Sequence, residues 1–368
     1  GAALTRQYVE EDCSNAYGTG GVAYARDAFD GLHLMDKIVT GDFEHHLAER
    51  KEKSAGRQRR KSKPRTLEAM ETPSAPLRPV EVEETRLRRN ELSKGVEVPK
   101  PPFFGPKVLE DVPVKALLPF LNDNMLYQFH WGYKKDGRSL DAFLKWAQKE
   151  LRPILTDLVE EAEREKVFKP QAVYGYWPAA GEGNDVVLFD PDDPAKPVAR
   201  FSLPRQRKEN GLCIADFLRD VDDIDREAGV TARDVLGLQV VTVGQRASEV
   251  AREWFAADRY NDYVRLHGLG VELAEALAEY VHKKIRGELG FGHLDERDRA
   301  ALIKQGYRGS RYSFGYPACP NVADQSQLLE LLGAAKVGIE LGEEDQLWPE
   351  QSTSAVVLHH PQARYFNI

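Results

Sequence analysis

Cysteine is nearly absent. Cys13, Cys213 and Cys319 are the only three in 368 residues, they lie far apart, and none forms a CxxC pair or a Cys/His cluster at zinc spacing. A disulfide scaffold is thereby excluded, and free thiols in a reducing cytoplasm are expected. Uninterrupted apolar runs of about 18 residues are also missing, so no membrane-spanning helix is expected. The N-terminus has no basic segment leading into an apolar core, which leaves no visible signal peptide. Excess positive charge is lacking too: the net charge is −8, against the basic balance of a general nucleic-acid binder. No GxSxG, HExxH or phosphate-loop motif occurs. The adjacent pairs His45-His46 and His359-His360 do not point to one face of a helix, so no metal site is expected.

What is present divides into three stretches. Residues 1–48 hold turn glycines Gly18, Gly20 and Gly21, the apolar Val22-Ala23-Tyr24-Ala25, an acidic turn, and the helix-like Leu32-His33-Leu34-Met35. Strand, turn and helix in that order form the repeating unit of a parallel α/β sheet. One unit cannot bury a core, so it reads as part of a larger domain. The opening Gly1-Ala2-Ala3-Leu4-Thr5 and the closing Arg364-Tyr365-Phe366-Asn367-Ile368 both read as cut ends. Residues 49–98 crowd nine basic side chains between Arg50 and Arg65, followed by Pro73, Pro76 and Pro79. Without interleaved aromatics this is a solvated linker.

From Pro99 the composition becomes globular. Helical spacing covers Val114 to Phe120 and Leu140 to Val159, the second capped near Ser139 or Asp141 and kinked or divided at Pro153. Strands are expected at Ala172–Trp177, Asp185–Phe189, Val198–Leu203, Val240–Val243 and Ala355–Leu358. A long helical stretch from Ala247 to Arg286 is expected to divide at Gly268 and Gly270, and Leu328–Leu332 belongs to a later helix. Strands grouped between helices without regular alternation imply an α+β fold with an antiparallel sheet.

One segment has the composition of a ligand loop: Arg311-Tyr312-Ser313-Phe314-Gly315-Tyr316-Pro317-Ala318-Cys319-Pro320. Two prolines and a glycine forbid a helix. The arginine offers a planar fork for a carboxylate, and the tyrosine a flat face with a hydroxyl. On the residues alone, a small amphipathic carboxylate ligand and a proline-stiffened surface loop remain equally open. Glu275 and Glu279 share a helix face at i, i+4, as solvated carboxylates commonly do.

This segment resembles the signature Arg-x-x-x-Gly-Tyr-Pro-Ala-Cys-Pro of the reactivation domain of cobalamin-dependent methionine synthase. Further elements follow in the same order. Tyr174-Gly175-Tyr176-Trp177-Pro178-Ala179 is similar to a strand and turn of that family, and Pro204-Arg205-Gln206 and Leu212-Cys213-Ile214-Ala215-Asp216-Phe217 to two of its segments. Leu273 to His282 resembles a helix of the family, and Trp348-Pro349, His360-Pro361 and Tyr365-Phe366 its closing elements. The resemblance covers most of Pro99 to Ile368. The first residues, with Tyr24-x-x-Asp27-Ala28, resemble the last third of a Rossmann-like B12-binding domain.

The resemblance implies a twisted antiparallel sheet with flanking helices over 99–368, a linker over 49–98, and the end of a cobalamin-binding domain over 1–48. It implies S-adenosylmethionine as ligand, with Arg311 on its carboxylate and Gly315, Tyr316, Ala318, Tyr365 and Phe366 around it. The family aspartate on the ligand's amino group falls in Leu121-Asn122-Asp123-Asn124. Asp123 is the only carboxylate there, whereas a strict count from Pro119-Phe120-Leu121 places Asn122 at that point. Glu275 and Glu279 would be ligand-proximal or corrin-facing. Gly1 and Ala28 would lie near the cobalamin nucleotide tail, although the Asp-x-His-x-x-Gly motif that supplies the cobalt-ligating histidine is absent.

The implied work is reductive reactivation. The methyl of S-adenosylmethionine is presented to cob(I)alamin formed from oxidised cob(II)alamin by flavodoxin or an equivalent one-electron reductant. The chain would be a monomer, partnered by the cobalamin domain of its own polypeptide and by neither nucleic acid nor membrane. A stand-alone corrinoid reactivase and a non-catalytic docking module for a redox partner are the alternatives.

Overall fold

A computed structural model describes residues 9–10, 14–17, 20–25, 28–48, 79–206, 211–225, 230–231, 233–342 and 345–366. The chain divides into two compact units, Gly1–Ala75 and Pro76–Ile368. In the first, helix α1 (Ala28–Thr40) ends where Gly41 takes a positive φ of 77° and Asp42 N–H returns to the Lys37 carbonyl at 2.9 Å. Short helices span Ser14–Tyr17 and 43–48, and Leu34 and Leu47 are buried. Val22 to Ala25, expected as a strand, is irregular, and no described residue of this unit belongs to a strand. A lone edge segment has no neighbour to pair with. Gly1 lies outside the described residues, and Ala28 opens α1.

The second unit begins before Pro99. Helix α2 (Pro79–Ser93) was expected to be linker because its sequence shows no apolar stripe. Its inward residue is charged instead: Arg89 is buried, with Nε 2.9 Å from Asp220 Oδ2 and Nη1 2.7 Å from the Gly183 carbonyl. His360 Nε2 also meets the Leu92 carbonyl near the end of α2, at 3.0 Å. A polar strap held by a buried ion pair has no 3.6-residue hydrophobic signature to read.

The sheet of this unit has seven strands: β1 (Gly105–Leu109), β2 (Gln171–Glu182), β3 (Asp185–Phe189), β4 (Pro197–Ser202), β5 (Asp234–Thr242), β6 (Ser310–Ser313) and β7 (Ser352–Leu358). Their order is β4-β3-β2-β5-β7-β6, and every pairing is antiparallel. β5 runs along one edge of β2, while the other edge is shared by β1 on Ala172 to Tyr176 and β3 on Ala179 to Glu182. Gly183, at φ 59°, and Asn184 form the two-residue turn from β2 to β3.

Both sheet faces are covered, which explains why β2 is buried almost throughout rather than alternating with solvent. Ala172, Tyr174, Tyr176 and Val357 face a helical layer. In it lie α3 (Leu140–Glu150), α4 (Arg152–Arg164), α5 (Arg246–Ala256) and α6 (Tyr260–Glu288). Val173, Leu238, Val240 and Val356 face a second core with α7 (Gln325–Leu332) and the Cys213 to Leu218 segment. Ser139 Oγ caps α3 by accepting from Ala142 N–H at 3.2 Å. Pro153 divides the stretch by standing in the first turn of α4, where its missing N–H costs nothing.

The expected break at Gly268 and Gly270 does not occur, because α6 runs through both. The helices separate earlier, where Asp258 takes a positive φ of 57°. Gly268 serves close approach: a Cβ there would stand 2.7 Å from His130 Cβ. No helix among the described residues is long and apolar enough to cross a membrane.

Candidate functional site

Period-2 alternation sets the site. In β6, Arg311 pairs with Val357 and Tyr312 with Val356, so the two side chains leave opposite faces of the sheet. Arg311 faces the helical layer and α6. Its Nη2 donates to Glu275 Oε2 at 3.2 Å, and its buried Nη1 has no partner among the described residues. Tyr312 enters the second core, where its hydroxyl donates to the Arg364 carbonyl at 2.8 Å and its ring meets those of Tyr365 and Phe366.

The loop after β6 is a tight turn. Gly315 has φ 84°, its N–H reaches the Cys319 carbonyl at 2.9 Å, and Cys319 N–H returns to the Tyr316 carbonyl at 2.8 Å. Ala318 and Cys319 are thereby buried while Tyr316 projects, with its ring edge-on to Tyr365. Tyr316 and Tyr365 are both exposed. Arg311, Glu275 and Tyr316 thus come together from β6, α6 and the turn, with Tyr365 against the Tyr316 ring, while Phe366 packs on Tyr312 in the second core.

Charge is concentrated beneath them. Glu272, Glu275, Glu279, His282 and Arg286 recur along one stripe of α6 at spacings of three and four. Burial works against the Arg311 cation, but Glu275 and Glu279 outweigh it and raise the pKa. Burial likewise opposes the Glu279 anion, yet His282, Arg311 and Arg286 hold its pKa at about 2. Burial drives His282 down to about 4 although Glu279 stands 3.7 Å away, so the imidazole is neutral beside an ionised carboxylate. Arg286 is fixed by Asp295 at 2.8 Å and lies 4.0 Å over the Tyr307 ring. Burial, with Glu279 nearby, pushes the Tyr307 hydroxyl up to about 12.

Other expected residues are held by neighbours of their own. Asp123 Oδ2 accepts from Gln148 Nε2 and Arg299 Nη1, each at 3.1 Å, while its buried Oδ1 has no partner among the described residues. Asn122 Oδ1 caps the turn at Met125 N–H, 3.3 Å away. Neither residue has a described contact with Arg311. The Pro204-Arg205-Gln206 and Cys213 to Phe217 segments join one another instead: Arg205 Nη2 donates to Asp216 Oδ1 at 2.7 Å and Nη1 pairs with Oδ2. His359 is committed to Asp234 at 2.6 Å, and no metal-binding group of three or more His, Cys, Asp or Glu exists among the described residues.

The sequence reading missed Glu272, His282, Arg286, Asp295 and Tyr307. For Glu272, His282 and Arg286 the three-four spacing along α6 was the available signal, masked by the neighbouring Lys283 and Lys284; Asp295 and Tyr307 lie outside α6 and had none.

Residues 121–368 match the family model described as vitamin B12 dependent methionine synthase, activation domain. The chain belongs to this family. It is 40% identical over 384 residues to methionine synthase of Mycobacterium tuberculosis, covering 100% of this chain and 31% of that protein. Methionine synthase of Mycobacterium leprae gives 40% over 385 residues with the same coverage. The chain therefore spans under a third of these relatives. Among solved structures, that of the MetH reactivation domain bound to AdoHcy is similar in fold, with a TM-score of 0.65 and 24% identity over 74% of this chain and 84% of that one.

Proposed function

We propose that this chain is the part of a methionine synthase that binds S-adenosylmethionine and offers its methyl group to cobalamin carried by the same polypeptide, restoring an oxidised enzyme. The observation that carries the reading is the Arg311 Nη1 group, buried and without a described partner, near the exposed Tyr316 ring. A guanidinium fork fits a carboxylate in two parallel hydrogen bonds. Tyr316 and Tyr365 offer flat faces for a nucleoside, and Phe366 packs on Tyr312. Gly315 and Ala318 shape the turn that presents Tyr316. Asp123 Oδ1, buried with no described partner, suits the ligand's ammonium, and the negative charge of Glu275 and Glu279 favours a sulfonium.

Cobalamin, when bound, supplies the methyl acceptor, and a one-electron reductant such as flavodoxin supplies the electron. This chain's residues bind, orient and shield the donor, so no acid–base pair is required of them. Ala28 and Gly1 would touch the nucleotide tail only as part of a larger cobalamin domain. Identity to methionine synthases along the whole chain, first unit included, favours this reading over a stand-alone reactivase.

Calorimetric titration with S-adenosylhomocysteine, a stable analogue, tests it. A charge-assisted bidentate pair contributes about 1.5–3 kcal/mol, so Arg311→Ala should weaken binding about 10- to 150-fold with the circular dichroism spectrum unchanged. Arg311→Lys should recover little of this. No binding by the wild-type chain, or equal binding by a folded Arg311→Ala, would remove the proposal.

A further inference from the structure

Three carboxylates of the α6 stripe meet basic side chains, and they differ in how firmly they are held. Glu272, with its side chain only 6% exposed, meets His130 Nε2 from the end of the π-helix Met125–His130 at 3.1 Å. Glu279, 25% exposed, is shared by Arg286 at 3.3 Å and His282 at 3.7 Å. Glu275 is 41% exposed and makes a single contact, to Arg311 Nη2 at 3.2 Å. It is the most solvent-accessible of the three and the most loosely held.

Arg311 presents the converse pattern. Its side chain is 16% exposed, one terminal nitrogen is occupied by a carboxylate, and the other has no described partner. A guanidinium matches a carboxylate best when both nitrogens donate to it. The Glu275 contact is half of that arrangement. A ligand carboxylate bidentate on Nη1 and Nη2 would share Nη2, which has two N–H donors, with Glu275, and the repulsion between two carboxylates on one nitrogen favours displacement of Glu275.

We infer that Glu275 is a stand-in for the ligand's carboxylate and a specificity residue of the site. It neutralises Arg311 when no ligand is bound and yields only to a ligand that brings a carboxylate of its own. This inference rests on the reading of Arg311 as the carboxylate anchor. Its physical content is a competition. The stand-in contributes to the folded, empty site a pairing that the ligand must replace, so affinity is lowered by its strength. A nucleoside without a carboxylate gains nothing from Arg311 and does not dislodge Glu275. Glu279 remains near Arg311 when Glu275 leaves, so the guanidinium is not stranded.

Two probes separate the outcomes: S-adenosylhomocysteine, which has the carboxylate, and 5′-methylthioadenosine, which has the nucleoside and lacks it. Both are titrated calorimetrically into the whole chain and its Glu275→Gln variant, with thermal unfolding as the folding control. Half-exposed ion pairs are worth up to about 1 kcal/mol, so Glu275→Gln should bind S-adenosylhomocysteine about two- to fivefold more tightly. Affinity for 5′-methylthioadenosine should not change. Weaker binding of S-adenosylhomocysteine would overturn the inference and make Glu275 a direct ligand contact. Equal shifts for both probes, or no shift, would also overturn it. If neither protein binds S-adenosylhomocysteine, the proposed function itself fails.

Discussion

Arg89 and Asp220 lie 131 positions apart in sequence and meet in a buried pair, with Nη2 2.8 Å from Oδ2 and the guanidinium 1% exposed. Nε donates to the same oxygen, and Nη1 donates to the Gly183 carbonyl in the β2–β3 turn. A charged strap is thereby fastened to the sheet at the end of its longest strand.

Removing one member of a buried ion pair strands the other. Arg89→Ala should therefore destabilise the second unit by about 3–5 kcal/mol. Denaturant unfolding followed by circular dichroism would measure it. A loss under about 1 kcal/mol would mean that α2 is merely laid on the surface, as exposed pairs are.

Acid should weaken the fold in two steps of the same sign. His282 titrates at about 4 when folded, against 6.5 ordinarily, so the unfolded chain takes up the proton first and stability falls from pH 6.5 to 4. Glu279 is held at about 2 against 4.5, so its contribution is complete above pH 4.5 and is lost as pH drops toward 2. Unfolding midpoints at pH 7.5, 5.5 and 4.5 should decline in that order. His282→Gln, if folded, should flatten the part above pH 4.5. A level wild-type profile down to pH 4.5 would contradict the neutral buried imidazole.

Two glycines of α6 should respond oppositely to alanine. At Gly287 a Cβ would meet nothing within 4 Å, so Gly287→Ala should gain about 0.5–1 kcal/mol of helix stability. At Gly268 the new carbon would stand 2.7 Å from His130 Cβ, and overpacking should cost about 1–3 kcal/mol. Parallel thermal unfolding of the two variants decides between packing and propensity. A stabilised Gly268→Ala would show that His130 yields readily.

The parts legible in the sequence were those with a periodic apolar face. Ser139 as a cap, Pro153 as a divider and the strands at Asp185 and Ala355 all follow from local pattern. β5 was read as only Val240 to Val243 because Asp234, Gly237 and Gln239 interrupt its apolar run. Each is satisfied by tertiary structure: Asp234 by His359, Gln239 Nε2 by the Ala278 carbonyl at 3.1 Å, and Gly237 by crowding from Val357. Helix α2 was illegible for the same reason, since Arg89 occupies the place of an apolar residue. At the site, Arg311 and Tyr316 stood out through proline and glycine punctuation. The electrostatic bed of Glu279, His282, Arg286 and Asp295 did not, because sequence shows charges but not which of them lose their water.

Strand β6, which carries Arg311, joins the sheet through β7 alone. On a ribosome the polypeptide reaches Arg311 well before β7, which spans Ser352 to Leu358 and pairs with β5 on its other side. Until those residues leave the exit tunnel, β6 has no strand to dock on and Arg311 cannot be fixed against Glu275. The helical layer, β2 and β5 can assemble earlier. Competence for the proposed nucleoside ligand therefore waits on β7, and a chain stopped short of Ser352 would retain much of its core without that site.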